Sequence, residues 1–232
     1  MDLLDQLEHI QKKIHYIFKD KNLLLLSFIH RSYVNEDRRF GKMHNERLEF
    51  LGDSVLNLIV SEYLYKNFPD IPEGDLSFLR SRLVDATSCM NYVKQLEIEK
   101  YLLLGKGERL SNGRGRLSIL SDLFEAVMGA IYLDGGIEAA RTFLFSHFEE
   151  DIKLILNTPL HNWKAILQDY AQKMYHLTPI YTVLKEEGPD HQKHFEISVK
   201  IQDHELGRGM GKSKKEAQQE AAKQAVEKIQ KL

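Results

Sequence analysis

The chain is short of cysteine, of net charge and of long apolar runs, and each shortage removes a class of explanation. Its one cysteine, Cys89, excludes an internal disulfide, fits a reducing cytoplasm and reads as a small buried hydrophobe. Apolar runs such as Leu23 to Leu26 are far too short to span a bilayer. The N-terminal stretch MDLLDQLEHIQKKIHYIF is amphipathic and has no signal-peptide core or small-residue cleavage site, so a cytoplasmic protein without membrane contact is expected. Net charge is only −2 over 232 residues, so a nucleic-acid site must come from local placement of charge and not from a global field. From Pro159 onward 12 basic residues face 10 acidic ones, a net +2 against −4 for the part before it.

Several catalytic patterns are missing too. There is no HExxH, no paired Cys/His spacing of zinc, and no Glu-x-x-His or Asp-x-x-His of the kind that builds di-iron sites in helical bundles. The glycine-rich stretch Gly105 to Arg116 has four basic residues but neither Walker spacing nor GxGxxG, which rules out a nucleotide-loop assignment. It reads as a mobile surface loop, with phosphate contact as the alternative. No Ser or Cys sits in a nucleophile motif, which disfavours acyl transfer.

What the chain does have is a set of carboxylates in apolar helices. In Asn45-Glu46-Arg47-Leu48-Glu49-Phe50-Leu51-Gly52-Asp53 the acids stand at i, i+3 and i+7, within roughly a 60° arc at about 100° per helical residue. Leu48, Leu51, Val55, Leu58 and Ile59 form an apolar stripe opposite, and Leu56, Val60 and Leu64 continue the acidic face itself. Ionised groups on a buried face are costly unless a cation or hydrogen bonds compensate them. Ion pairs with Arg47, Arg80 or Arg82 are one way to do so. A second pair, Asp122 and Glu125, sits at i, i+3 in SDLFEAVMGAIYLDGG, and could be a capping box whose carboxylates serve backbone amides. Taken together, the two acidic helices suggest a hard-cation site of oxygen ligands, Mg²⁺ or Mn²⁺, and hence phosphoryl chemistry.

The organisation has two parts. Up to about Asn157 the spacing is helical, over Leu3–Phe18, Asn22–Ser32, Asn45–Asn67, Ser77–Leu96, Ser121–Asp134 and Ile137–Ile155, with breaks at Pro69, Pro72 to Asp75 and Gly135-Gly136. Beyond a short linker at about 157–159 come a helix at Asn162–His176 and alternating strands at Pro179–Lys185, His194–Ile201 and His204–Gly211. A helix opened by the capping box Ser213-Lys214-Lys215-Glu216 then runs to the C-terminus. The expected fold is therefore an all-α domain over residues 1–156 followed by an α-β-β-β-α domain over 160–232. In the latter, Lys212, Lys214 and Lys215 surround a helix N-terminus that favours phosphate, unless they are merely solvated. His191 at a hairpin tip and Gln168 on the first helix could reach sugar hydroxyls or base edges. No aromatic ladder for single-stranded bases is evident, whereas double-stranded RNA is read by shape and through 2′-hydroxyls.

NERLEFLGDSVL resembles the signature of bacterial ribonuclease III, and SILSDLFEAVMGAIYLDGG is similar to that family's second acidic motif. EEGPDHQKHFEISV with LGRGMGKSKKEAQQEAA resembles its double-stranded RNA-binding domain, so the resemblance covers essentially the whole chain in the family's order. It implies a Mg²⁺-dependent endoribonuclease, with Mn²⁺ as substitute, in which Glu49, Asp53, Asp122 and Glu125 bind metal, Asp53 and Glu125 act most directly and Glu46 is auxiliary. It implies a homodimer with Phe50 plugging into the partner, and staggered cuts of double-stranded RNA by a metal-activated water. The expected ends are 5′-phosphate and 3′-hydroxyl with short 3′ overhangs, and the expected substrates are structured precursors such as those of rRNA and mRNA. The competing reading is a non-cleaving double-stranded RNA-binding regulator. Departures from the family pattern are small: Ser121 and Leu123 stand where alanine and a smaller residue are frequent, and Asp169 replaces the glutamate that usually follows Gln168.

Overall fold

The computed structural model describes residues 3–34, 36, 42–110, 115–157, 163–188 and 193–229. Two compact units divide it, Met1–Thr158 and Pro159–Leu232.

The first unit is helical: α1 (Leu3–Ile14), α2 (Lys21–Ser27), α3 (Arg31–Val34), α4 (Glu46–Asn67), α5 (Glu73–Leu83), α6 (Ala86–Gln95), a 3-10 turn (Glu99–Tyr101), α7 (Lys106–Leu110) and α8 (Arg116–Asn157). Its axis is the first half of α8, where Leu123, Phe124, Ala126, Val127, Met128, Ala130 and Ile131 are all fully buried. A helix apolar all round belongs inside a bundle, and α4 and α6 pack against it. The break expected at Gly135-Gly136 is real: Gly136 has φ 79 inside α8, a left-handed conformation that glycine adopts without strain. Beyond it Phe143 and Phe148 turn back to pack on Phe124 and Tyr92.

Several helix boundaries differ from the sequence expectation, each for a local reason. The helix expected over Asn22–Ser32 stops at Ser27, because Ile29 leaves it to bridge with Leu103, and Arg31–Val34 forms a separate short helix. α1 stops at Ile14 because His15 enters the left-handed region at φ 50 and Gln11 Oε1 takes the Phe18 amide at 2.8 Å. The single helix expected over Ser77–Leu96 is two, because the Asp85 side chain caps a new start by accepting from Ser88 N at 2.8 Å. α8 begins at Arg116, more than a turn before Ser121. Asp122 and Glu125 are therefore interior residues and cannot form the capping box that their spacing allowed.

The second unit runs α9 (Trp163–Tyr175), β1 (Ile180–Glu187), β2 (His194–Ile201), β3 (His204–Gly211) and α10 (Lys214–Ile229), with an antiparallel sheet in the order β1-β2-β3. Leu167 and Ala171 of α9, Val199 and Ile201 of β2, and Ala221, Ala222, Ala225 and Val226 of α10 form its core. Backbones approach closely along β3: a β-carbon on Gly207, Gly209 or Gly211 would run into the Ala217–Ala225 turns of α10. Ser213 Oγ accepts from Glu216 N at 3.1 Å, and the Glu216 carboxylate accepts from Lys212 N at 2.7 Å, so the expected cap opens α10.

Candidate active site

α4 starts where Asn45 is pinned, its amide donating to Ile29 O at 2.9 Å and its side-chain Nδ2 to Ser27 O at 3.3 Å. From there α4 crosses α8 at a reciprocal pair of glycines. A β-carbon on Gly52 would overlap the Glu125 carbonyl, and one on Gly129 would overlap the Leu48 carbonyl. Helix axes usually stay about 8–10 Å apart because side chains intervene; here two backbones touch. The acids lie within one turn of the contact on both helices, so closing the crossing forces them together.

Ligand oxygens of Glu49, Asp122 and Glu125 all lie within 4.8 Å of one another, each on a partly buried residue. Among the described residues none of the three forms an ion pair. Burial first, then the charges of Asp53, Asp122 and Glu49, push the Glu125 carboxyl up to about 7, against a hydrogen bond from Ser121 Oγ at 3.2 Å that opposes the rise. Burial together with Asp122, Glu46 and Asp53 raises Glu49, and burial with Glu46 raises Asp122. Uncompensated carboxylates at this spacing are a ready-made receptor for a hard cation, which takes oxygen ligands and relieves the repulsion. A metal ion therefore fits the residues present.

Two of the expected acids stand apart from this trio. Asp53 is exposed, accepts from Asn57 Nδ2 at 2.8 Å and acts on Glu125 and Glu49 through its charge. Glu46 is held at the rim by Arg31, whose Nη1 donates to Oε1 at 3.0 Å, with His44 Nδ1 at 3.7 Å. The arginine partners considered from sequence are not the ones used: Arg80 donates to Ser61 Oγ at 3.0 Å, and neither Arg47 nor Arg82 pairs with the carboxylates. Arg31 could not be found from helical spacing because it lies on a different helix. Gly52 and Gly129 did leave a signal, since an isolated glycine inside a strong helical pattern costs stability without a packing reason. Ser121 and Asn57, each four residues from the acid it contacts, were also within reach of spacing.

Phe50 is 78% exposed, and Leu58 and Tyr65 are exposed along the same side of α4. Leu58 thus leaves the buried stripe in which the sequence placed it. In the second unit Gln168, Lys212 and Lys215 are exposed, and Lys214 lies 3.6 Å from Glu186 and over the Phe195 ring at 5.5 Å. Asp169, the departure beside Gln168, pairs with Lys173 at 2.7 Å. His191 lies outside the described residues. No helix among the described residues is long and apolar enough to cross a membrane.

A ribonuclease-III-like family model matches residues 20–152, and a double-stranded RNA binding motif matches 163–229. Ribonuclease 3 of Protochlamydia amoebophila is 60% identical over 98% of this chain and 94% of its own length. The chain belongs to the ribonuclease III family. Ribonuclease 3 of Caldanaerobacter subterraneus subsp. tengcongensis is 46% identical over 96% of this chain and 98% of its own. The solved nuclease domain of ribonuclease III from Campylobacter jejuni, described for flexibility in a region involved in dimer formation, superposes with TM-score 0.56 at 40% identity. That match covers 62% of this chain and 96% of that domain. As a ribonuclease III this chain is an endoribonuclease acting on double-stranded RNA, which agrees with the activity and the two-part fold expected from the sequence.

Proposed function

We propose that this ribonuclease III is a Mg²⁺-dependent enzyme whose residues 1–156 cut double-stranded RNA and whose residues 160–232 hold it. The observation that carries the reading is the convergence of Glu49, Asp122 and Glu125 across the glycine crossing, with no compensating cation side chain among the described residues. These three would hold the cation, with Asp53 as a fourth carboxylate one turn along α4. When bound, Mg²⁺ or a substituting Mn²⁺ neutralises phosphate charge and lowers the pKa of a coordinated water.

The chain's own residues do the rest. Glu125 is raised to about 7, so near neutrality its carboxyl exchanges a proton readily, and cation binding competes with that proton. Asp53, Glu125 and Glu46 are the residues assigned to catalysis, Glu46 acting from the rim where Arg31 anchors it. Lys212, Lys214 and Lys215 at the start of α10 would take phosphates, and Gln168 with His191 would reach the minor groove. A symmetric dimer would bury Phe50, Leu58 and Tyr65 twice over, which accounts for three large apolar side chains exposed on one helix. Two such sites would cut opposite strands at staggered positions, leaving 5′-phosphate, 3′-hydroxyl and short 3′ overhangs on structured precursors of rRNA and mRNA in the cytoplasm.

The test is Glu125→Gln with a labelled RNA hairpin and Mg²⁺. Cleavage collapses while gel-shift affinity survives; undiminished cleavage would remove Glu125 from the site.

A further inference from the structure

Serines inside the helices of this chain mostly turn their hydroxyls onto the backbone behind them. Ser61 Oγ donates to Asn57 O at 2.6 Å, Ser54 Oγ to Phe50 O at 3.4 Å and Ser146 Oγ to Phe143 O at 3.3 Å, the ordinary local satisfaction of a helical hydroxyl. Ser121 does otherwise. It is only 5% exposed, and its hydroxyl donates forward, to Glu125 Oε1 at 3.2 Å one turn further along α8. Among the described residues it is the one side-chain donor that bonds to Glu49, Asp122 or Glu125.

A glutamate side chain has three rotatable bonds, and Glu125 is repelled by neighbouring carboxylates that would be relieved if it swung away. One oxygen tied to a buried hydroxyl removes that freedom while leaving the other oxygen's lone pairs unengaged. We infer that Ser121 is a positioning residue, whose hydroxyl holds the Glu125 carboxylate against Glu49 and Asp122 so that the cation meets a preformed group. Alanine at 121 would fill most of the same space but could not donate. The inference rests on the reading of the three carboxylates as cation ligands and adds to it a residue that touches neither cation nor RNA.

The experiment is titration of the cation-free, full-length protein with Mn²⁺, free Mn²⁺ being followed by electron paramagnetic resonance. Ser121→Ala binds Mn²⁺ about 3- to 10-fold more weakly, the loss of one hydrogen bond to a charged group. Ser121→Thr, which keeps the hydroxyl, stays within about twofold of the parent. In cleavage assays the alanine variant loses rate at limiting Mn²⁺ and recovers it at saturating Mn²⁺, with unchanged RNA affinity by gel shift. Parental Mn²⁺ affinity in Ser121→Ala, or an equal loss in Ser121→Thr, overturns the inference. Should Ser121→Ala not fold, Ser121→Val, the isostere of the threonine variant that cannot donate, replaces it, with the same expected loss and the same overturning result. Glu125→Gln separates the two layers: if it loses Mn²⁺ while Ser121→Ala does not, positioning fails and the cation site stands. If the parent itself binds no Mn²⁺, the cation reading fails and this inference with it.

Discussion

At the α4–α8 crossing, Gly52 and Gly129 let two helix backbones touch, and carboxylates flank the contact on both sides. At the β3–α10 seam, Gly207, Gly209 and Gly211 let a strand lie directly on the Ala217, Ala221 and Ala225 stripe of a helix, and the enclosed surface is apolar. The means is the same in both places, removal of side chains so that backbones can approach. In the first unit the approach holds repelling charges that a cation would relieve; in the second it only builds the core beneath an RNA-binding surface. Damage at the first seam should therefore appear in the chemistry, and damage at the second in affinity.

The largest effect is expected from Gly52→Ala. A β-carbon there meets the Glu125 carbonyl, so α4 must move outward and carry Glu49 with it. Single-turnover cleavage should fall by at least about 100-fold, the scale for a displacement of about 1 Å in a reacting constellation, while gel-shift affinity is kept. Cleavage that persists would mean the crossing does not assemble the site. The matching change on the other side, Gly209→Ala or removal of 159–232, should weaken RNA binding about 10-fold or more at physiological salt, through lost phosphate contacts. Cleavage at saturating RNA should be largely retained; unchanged affinity would remove the second unit from RNA recognition.

A change of pH acts on the first seam through Glu125, while His30 and His147 of the same unit, both lowered mainly by burial, act in the opposite sense. Glu125 ionises near 4.5 when unfolded and near 7 in the fold, so folding favours its protonated form. That contribution is complete below about pH 4.5 and is lost as pH rises through about 7. Without cation, Tm of the parent measured against that of Glu125→Gln, which cancels the opposing histidines, should decline across this interval; adding Mg²⁺ should raise the parent's Tm more at pH 8 than at pH 6. The same proton competition predicts Mn²⁺ binding about 10-fold weaker at pH 6 than at pH 8, for a ligand with pKa about 7. A flat profile would show that Glu125 does not bind the ion. The smallest effect is expected from Asn57→Ala, which frees Asp53. Because Asp53 lies outside the converging trio, Mn²⁺ affinity should change by less than about threefold.

Spacing in the chain was enough to place Glu46, Glu49 and Asp53 on one helix and Asp122 and Glu125 on another, because a helix converts sequence separation directly into angle. The β2 and β3 bounds, the Ser213 cap and the break at Gly136 were legible for the same reason, each being decided within a few residues. The division of the stretch from Glu73 to Gln95 was not, since apolar periodicity continues across the Asp85 cap that separates α5 from α6. Which carboxylates meet was also beyond spacing, as was the choice of Arg31 as the partner of Glu46 and the exposure of Leu58. Those outcomes depend on where α4 crosses α8 and on what packs over each face. The residue sequence by itself determined that this chain has two acidic helices and a basic RNA-binding unit. Only the tertiary structure decided that Glu49, Asp122 and Glu125 converge while Asp53 and Glu46 stand at the edge, because a helix–helix crossing joins residues some 70 positions apart that no local periodicity relates.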